Sequence, residues 1–204
     1  MNVIGITGGI GSGKSVVCRI FSTLGIPVYE ADSAAKMLYE KYPELKDSIA
    51  KKISPEAIDK NGKVNRKKLS DIVFKDPEKL KLLNELVHPV VAWDFSHWLD
   101  SHRGFPYVLK EAAILFESGS DKACRKVITV VSPLDLRMQR IKDRDKKSKA
   151  EIEAIIARQS GDEEKISKSD YVITNDEKQM LIPQVLKIHQ ALISDSENSS
   201  RATK

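Results

Sequence analysis

The segment Gly8-Gly9-Ile10-Gly11-Ser12-Gly13-Lys14-Ser15 decides the fold of this chain, because it matches the pattern G-x-x-x-x-G-K-[ST] at every fixed position. The β-branched run Val3–Thr7 before it predicts a short buried strand, and Lys14–Leu24 after it predicts a helix. A strand, a glycine-rich loop and a helix in this order form a phosphate-binding loop, in which main-chain N–H groups and the helix N-terminus hold phosphate oxygens. We therefore predict a nucleoside triphosphate site at this loop.

The residue types of the loop suit this task. Glycines let the main chain curl, so that successive N–H groups point into one concavity. Lys14 is expected to reach the β- and γ-phosphates and to act in catalysis, and the Ser15 hydroxyl to bind Mg²⁺. The alternative is a glycine-rich turn that carries Lys-Ser by coincidence, which average composition produces at roughly one site in 10⁴–10⁵. We predict nucleotide contacts from Gly9, Ile10, Gly11, Ser12, Gly13, Lys14, Ser15 and Val16.

Strands and helices alternate in the segments around this loop. Strands are predicted at Ile26–Tyr29, Tyr107–Ile114, Lys126–Val131 and Tyr171–Thr174, and helices at Asp32–Tyr42, after Pro133 and at Lys178–Ile193. This alternation predicts an α/β fold with a parallel sheet flanked by helices. The middle of the chain has no convincing strand, and the helical spacing in Arg66–Phe74 and Pro77–His102 predicts a helical insertion at one edge of the sheet. The polar segment 195–204 is predicted to be a disordered tail.

Composition narrows the class of protein. The 204 residues suffice for one domain with insertions, and 41% hydrophobic residues can form a core. A net charge of +5 favours anionic partners such as phosphates but is small for a dedicated nucleic-acid binder. Cys18 and Cys124 are too few for a disulfide framework or a zinc site, and they fit a reducing compartment. With no visible signal peptide and no run of 18 apolar residues, we expect a soluble, cytoplasmic protein without membrane or nucleic-acid partners.

The sequence favours phosphoryl transfer over hydrolysis. A guanine-reading Asn-Lys-x-Asp motif is absent from the sequence, and Asp59-Lys60-Asn61-Gly62 does not follow a predicted strand, so we interpret it as a turn. Transfer to a hydroxyl depends mainly on positioning and charge neutralisation, with a carboxylate to orient the hydroxyl and take its proton. Asp32 follows the second predicted strand, where ligands of parallel sheets lie. Its position alone fits a catalytic base and a helix N-cap equally well.

Three arginines on the helix after Pro133 are candidates for mobile positive charge. Arg140 and Arg144 are four residues apart on one helix face, and Arg137 lies one turn earlier. This charged region could close over a triphosphate and exclude water. The alternative is a solvated helix whose arginines pair with neighbouring aspartates and glutamates.

Taken together, these residues resemble the dephospho-coenzyme A kinase family over about residues 3 to 190. The phosphate loop with Ile6-Thr7 before it is similar to the family's loop nearly letter for letter, and Tyr29-Glu30-Ala31-Asp32 resembles its Asp-Ala-Asp segment. Further similar segments are Gly62-Lys63-Val64-Asn65-Arg66, Leu83-Asn84 with His88-Pro89, Ile114-Leu115-Phe116-Glu117, Arg140 with Arg144-Asp145, and a C-terminal run containing Gln159, Lys165, Asp170–Ile173 and Asn175.

The resemblance implies a P-loop kinase that transfers the ATP γ-phosphoryl group to the ribose 3′-hydroxyl of dephospho-coenzyme A, with Mg²⁺ as cofactor. It implies catalytic roles for Asp32, Lys14 and Arg144, further nucleotide contacts from Arg140 and Asn175, and acceptor contacts from Asp32, Arg66, His88, Leu115 and Glu117. It also implies three parts of one domain: a nucleotide-binding core of residues 1–30, 105–133 and 169–194, a helical acceptor-binding insertion of residues 31–104, and a helical lid of residues 134–168. We expect a monomer or a weak homo-oligomer.

Some positions depart from the family pattern. Glu30 and Glu111 stand where the family usually has Asp, Ala113 where Pro is usual, Arg137 where Gln is frequent, and Ile155 where Arg is common. Structural alternatives also remain, because His88 fits a packing role and Glu117 fits the anchoring of a loop. Two other functions are considered: a kinase for another small hydroxyl substrate such as a nucleoside, and an ATP-dependent RNA-binding module suggested by the net charge.

Overall fold

The computed structural model describes residues 2–146, 148–157 and 159–202, and they divide into two compact units. One unit comprises the described residues within Met1–Tyr29 and His102–Lys204, and the other comprises Glu30–Ser101. The strands are β1 (Val3–Thr7), β2 (Val28–Glu30), β3 (Val108–Glu111), β4 (Lys126–Val131) and β5 (Tyr171–Thr174). The helices are α1 (Lys14–Thr23), α2 (Ala31–Lys41), α3 (Pro43–Lys52), α4 (Arg66–Lys75), α5 (Pro77–Asp100), α6 (Leu134–Asp145), α7 (Lys149–Ile156), α8 (Asp162–Ser167) and α9 (Leu181–Ala202).

The first unit is built on a parallel sheet, as the sequence predicts. The strand order is β2-β3-β1-β4-β5, and β1 pairs in parallel with β3 and β4, while β4 pairs in parallel with β5. All five residues of β1 are buried, because a central strand of a parallel sheet is covered on both faces. Its core includes Ile4 and Ile6 of β1, Phe21 of α1 and Val185 of α9. The loop after β1 therefore starts at the end of a fully buried central strand.

The second unit is helical, with α2, α3, α4 and α5 around its own core, which includes Leu38, Ile49, Leu69 and Leu83. Side-chain caps mark the starts of two helices. Asn65 accepts a hydrogen bond from the Lys68 amide at α4, and Asp76 accepts from the Glu78 and Lys79 amides at α5.

Two details of the second unit bear on the predictions. Asp59 accepts from the amides of Asn61 and Lys63, so its segment is a turn as predicted. Pro89 lies inside α5, which continues through it to Asp100.

Several predicted boundaries are wrong, and those at β3 and α2 lie beside predicted site residues. The strand predicted to Ile114 ends at Glu111, because the Leu115 carbonyl accepts hydrogen bonds from the Ser120 and Asp121 amides and the chain turns there. Helix α2 begins at Ala31, so Asp32 lies within the first turn and is not the N-cap.

The segment predicted to be disordered continues α9 as far as Ala202, since it contains no Pro or Gly and Ser196 donates a hydrogen bond to the Pro106 carbonyl. Of the proposed lid and tail, residues 147, 158, 203 and 204 lie outside the described residues. No helix in the described part of the chain is long and apolar enough to cross a membrane.

Candidate active site

The glycine-rich loop between β1 and α1 adopts a backbone that only glycines reach easily. Gly8, Gly11 and Gly13 have φ values of 149°, 78° and 96°. Gly13 is also the N-cap of α1, and a Cβ at this position would overlap the side-chain amide of Asn175. The loop therefore needs glycine at Gly13 for two reasons, a left-handed backbone and the close approach of a neighbouring side chain.

Several carbonyl groups of the loop accept hydrogen bonds from side chains of other elements. Lys14 Nζ donates to the Gly8 carbonyl at 3.0 Å, and Asn175 Nδ2 donates to the Ser12 carbonyl at 2.8 Å. In a planar trans peptide the C=O of one residue and the N–H of the next point in opposite directions. Holding these two carbonyls therefore fixes the directions of the Gly9 and Gly13 amides, each away from the side chain that bonds the preceding carbonyl. Fixed main-chain amides of this kind can form a nest for an anion.

Lys14 is held between the loop and the end of a neighbouring strand. Its Nζ lies 3.8 Å from Glu111 Oε1, and the two side chains are 10% and 11% exposed. The register places Glu111 beside Ile6, so its carboxylate is at the carboxyl end of the strand next to β1. The pair keeps a cation at the loop without leaving an uncompensated buried charge.

Two serines of the loop have different environments. Ser12 is buried, and its Oγ has no hydrogen-bond partner within the described part of the chain. Ser15 is exposed in the first turn of α1. A buried hydroxyl without a partner costs about 1–3 kcal/mol, which a ligand oxygen would recover.

Arg140 of α6 contacts the loop and the end of β5. It donates to the Gly11 carbonyl at 3.4 Å, to Ser132 Oγ at 3.0 Å and to the Asn175 carbonyl at 3.4 Å, and it pairs with Glu177 at 2.9 Å. The structure therefore brings Arg140 and Asn175 together with the loop, at the carboxyl ends of β4 and β5.

The predicted acceptor residues of the first unit are buried or paired. Leu115 is fully buried, so its side chain offers no exposed surface in this conformation. Glu117 accepts from the Ser160 amide at 2.7 Å and from the fully buried Lys165 Nζ at 2.8 Å. Burial alone would raise the pKa of Glu117, but the hydrogen bonds from Lys165 and Ser160 outweigh it and the pKa is lowered. These contacts of Glu117 fit the anchoring of a loop, which is the alternative to its predicted role in binding the acceptor.

Arg144, the predicted lid arginine, lies at the end of α6. Its side chain is 64% exposed and forms two hydrogen bonds to the adjacent Asp145, at 2.7 and 2.8 Å. The hydrogen bond to Asp145 raises the pKa of the guanidinium further above its ordinary value. In this conformation Arg144 is therefore at the surface of its unit.

The second unit holds the three remaining predicted residues. Asp32 is exposed in the first turn of α2, after Glu30, whose carboxylate accepts a hydrogen bond from Ser33. Arg66 donates to the Lys36 carbonyl at 2.9 Å and lies 3.4 Å from Glu40.

His88 is the third, and it is exposed on α5. It lines a groove of about 590 Å³ that Asn84 and Pro89 also line. All three predicted residues are thus at the surface of the helical unit.

Sequence reasoning named Arg137 only as one of three candidates for mobile positive charge, and it assigned no site role to Gln159 or Asp162. Arg137 is 5% exposed and contacts the Ile10 carbonyl, whereas Gln159 accepts a hydrogen bond from the Ile10 amide. For Gln159 the sequence signal was its position in the C-terminal run of the family pattern, and for Asp162 the sequence analysis found none. The burial of Arg137 depends on tertiary packing, which the sequence does not reveal.

Comparisons with known proteins agree with this geometry. Residues 2–180 match the family model described as dephospho-CoA kinase. The dephospho-CoA kinase of Fusobacterium nucleatum is 40% identical over 173 residues, which cover 85% of this chain and 89% of that protein.

Solved structures give the same result. A Thermus thermophilus protein has a TM-score of 0.81 at 34% identity, covering 93% of this chain and 96% of its own. Dephospho-CoA kinase from Campylobacter jejuni has a TM-score of 0.67 at 29% identity, covering 95% of this chain and 98% of its own. On the family model and on these similarities, the chain belongs to the dephospho-CoA kinase family.

Proposed function

We propose that this chain transfers the γ-phosphoryl group of ATP to the ribose 3′-hydroxyl of dephospho-coenzyme A, giving coenzyme A and ADP. The observation that carries the proposal is the phosphate loop itself, whose carbonyls are held by Lys14, Arg140 and Asn175, in a chain of this family. A loop whose amides are oriented before the ligand arrives needs no reorganisation when charge develops on the phosphoryl group.

The nucleotide contacts are assigned to the loop and the first turn of α1. Residues 9–16 surround the β- and γ-phosphates, and the Lys14 ammonium neutralises their charge. The phosphates are met by the amides of this segment that have no partner within it, since those of Ile10, Ser12 and Val16 already donate to Gln159, Gly9 and Gly13. The buried Ser12 hydroxyl gains a phosphate oxygen as its partner. Arg140 and Asn175 hold carbonyls of the phosphate loop in place, and their position beside the loop brings them to the nucleotide.

A divalent ion fits the donor set at this loop. Within the described ranges no group of three or more His, Cys, Asp or Glu side chains forms a metal site. Mg²⁺ commonly keeps several waters and takes few protein oxygens together with substrate phosphates, and the exposed Ser15 hydroxyl supplies one such oxygen. When bound, Mg²⁺ neutralises charge on the transferring phosphoryl group.

Asp32 is assigned as the base for the acceptor hydroxyl. Its exposed carboxylate orients the 3′-hydroxyl and accepts its proton as the oxygen–phosphorus bond forms and the bond from the γ-phosphorus to ADP breaks. Arg66 and His88, on the surface of the same unit, are assigned to the anionic and polar parts of the acceptor. Leu115 and Glu117 stay predicted acceptor contacts, although their present contacts hold the turn after β3.

The remaining parts of the proposal follow the family pattern. The helical unit receives the acceptor, α6 to α8 form the lid, and Arg144 leaves Asp145 to meet the phosphates when the lid closes. The cytoplasmic location and the monomeric or weakly associated state stay predictions.

One assay tests the function. Turnover is measured with ATP and dephospho-coenzyme A, with Mg²⁺ and with the metal chelated, and phosphorylation of the 3′-hydroxyl is verified by mass spectrometry and NMR of the product. We expect metal-dependent formation of coenzyme A. Faster turnover of a nucleoside than of dephospho-coenzyme A would overturn the assignment. Salt-sensitive RNA binding without turnover would favour the RNA-binding alternative.

A further inference from the structure

One peptide segment of the phosphate loop is held by a charged side chain that the proposed function does not use. Arg137 Nε donates to the Ile10 carbonyl at 2.9 Å, and its NH1 lies 3.2 and 3.0 Å from the two carboxylate oxygens of Asp162. The guanidinium packs directly against Gly9, since a Cβ at Gly9 would overlap it. The side chain of Arg137 is only 7% exposed, so its charge depends on Asp162 for compensation.

The segment that contains Asp162 also holds the amide of Ile10. Gln159 Oε1 accepts a hydrogen bond from the Ile10 amide at 2.8 Å, and because an N–H must face an acceptor the oxygen of this side chain is assigned unambiguously. The segment from Gln159 to Asp162 therefore fixes Ile10 twice, directly through its amide and through Arg137 at its carbonyl.

We propose that Arg137, anchored by Asp162, is a positioning residue for ATP binding. By holding the Ile10 carbonyl it turns the Gly11 amide in the opposite direction, away from the guanidinium, where it can meet the nucleotide. Arg137 does not need to touch the nucleotide, because it acts through the loop main chain. This inference rests on the proposed function for the identity of the ligand, ATP.

The buried pair also links the loop to the region proposed as the lid. Asp162 is the first residue of α8, and the adjoining Ser160 and Lys165 are tied to Glu117. A change in this segment is therefore transmitted to Ile10 through Arg137. The expected signature is a change in ATP affinity that is larger than any change in acceptor affinity.

Calorimetric titration with Mg²⁺-ATP tests the inference without any acceptor. Arg137→Met removes every donor at similar length, and we expect the Kd for ATP to rise about tenfold, as the loss of a hydrogen bond from a charged group predicts. Arg137→Gln keeps one amide donor for Ile10 and should raise the Kd by a smaller factor. Asp162→Asn, which keeps the shape but removes the compensating charge, should raise it about threefold.

The matched control is Glu163→Gln, which removes a charge at an exposed position of the same helix and should leave the Kd for ATP unchanged. In steady-state assays the KM for ATP should rise in the Arg137 variants while the KM for dephospho-coenzyme A stays within about twofold, whereas a merely structural role would leave both unchanged in the folded fraction.

An unchanged Kd in folded Arg137→Met, or equal rises of the two KM values, would overturn the inference. If Arg137→Met does not fold, Arg137→Gln and Asp162→Asn decide by the same criterion. Wild-type protein that binds ATP but does not turn over dephospho-coenzyme A would contradict the proposed function and leave this measurement valid.

Discussion

The two units of the chain differ in how their predicted site residues are engaged. In the sheet unit, Lys14, Arg140 and Asn175 all donate hydrogen bonds to carbonyls of the phosphate loop. In the helical unit, Asp32 and His88 are exposed on helix surfaces. The nucleotide side is thus formed by main chain held in place beforehand, whereas the acceptor side depends on surface side chains. Variants of the first kind should impair ATP binding, and variants of the second kind should impair transfer alone.

The largest effect is expected from Lys14→Met. The ammonium lies beside the loop and is largely buried with Glu111, so its loss removes positive charge where it is least screened. We expect kcat to fall roughly 10³-fold and ATP affinity to weaken as well, on the scale of other cationic groups in phosphoryl transfer. Turnover assays and calorimetry measure both. Lys122→Met, at an exposed position of the same unit, is the control, and a kcat within tenfold of wild type would contradict the role.

Asp32→Asn should separate the two units. The expected loss is about 10²-fold in kcat, which is typical of removing a general base, with the Kd for ATP unchanged because the phosphate loop is intact. Asp71→Asn makes the same substitution at an exposed position of the same unit and should leave kcat unchanged. Equal loss of ATP affinity and turnover in Asp32→Asn would show that the two units are not divided in this way.

In the sheet unit, the sequence predicted the strands better than the tertiary contacts that end them. Strands β1, β4 and β5 have the bounds that their apolar patterns predicted, because local pattern and tertiary environment agree in a buried parallel strand. The predicted end of β3 was wrong, because Ala112–Leu115 is as apolar as a strand. The turn at this point is shown by the hydrogen bonds that the Leu115 carbonyl accepts in the folded chain. Local pattern thus defines elements more reliably than their ends.

The candidate site residues also divide into those that a local sequence pattern reveals and those that only tertiary packing reveals. The phosphate loop could be predicted because its function lies in a local glycine pattern and in a main-chain conformation. Arg137 was named only as a candidate for mobile charge, since an arginine in a charged helix is indistinguishable by sequence from a solvated one. Its burial against Gly9, Ile10 and Asp162 is a property of the tertiary structure. The role of Asp32 was predicted from its position after the second strand and stays a prediction, whereas its alternative as an N-cap is excluded by the start of α2 at Ala31.

A smaller effect, on stability, is expected from Lys165→Met. The ammonium is fully buried and bonds Glu117 at 2.8 Å and the Ser160 carbonyl at 3.1 Å. Breaking a buried pair leaves the partner uncompensated, so the free energy of unfolding in urea should fall by about 3 kcal/mol. Lys168→Met, which breaks an exposed pair on the same helix, should leave the unfolding midpoint nearly unchanged. Recovery in the double variant Lys165→Met with Glu117→Leu would assign the loss to the unpaired carboxylate.

The smallest effect concerns His189, which packs α9 against the sheet. Its Nδ1 lies 2.7 Å from the hydroxyl of the fully buried Tyr107, and burial lowers the pKa of His189 from 6.5. As the pH falls below 6.5, the unfolded chain binds a proton before the folded chain does, so stability is complete above 6.5 and is lost below it. Because His189 is partly exposed, we expect a loss of less than about 1 kcal/mol in urea unfolding between pH 7.5 and 5.5. His189→Gln should abolish that part of the pH dependence and His97→Gln, at an exposed site, should retain it, whereas an identical slope in all three proteins would exclude His189 as its source.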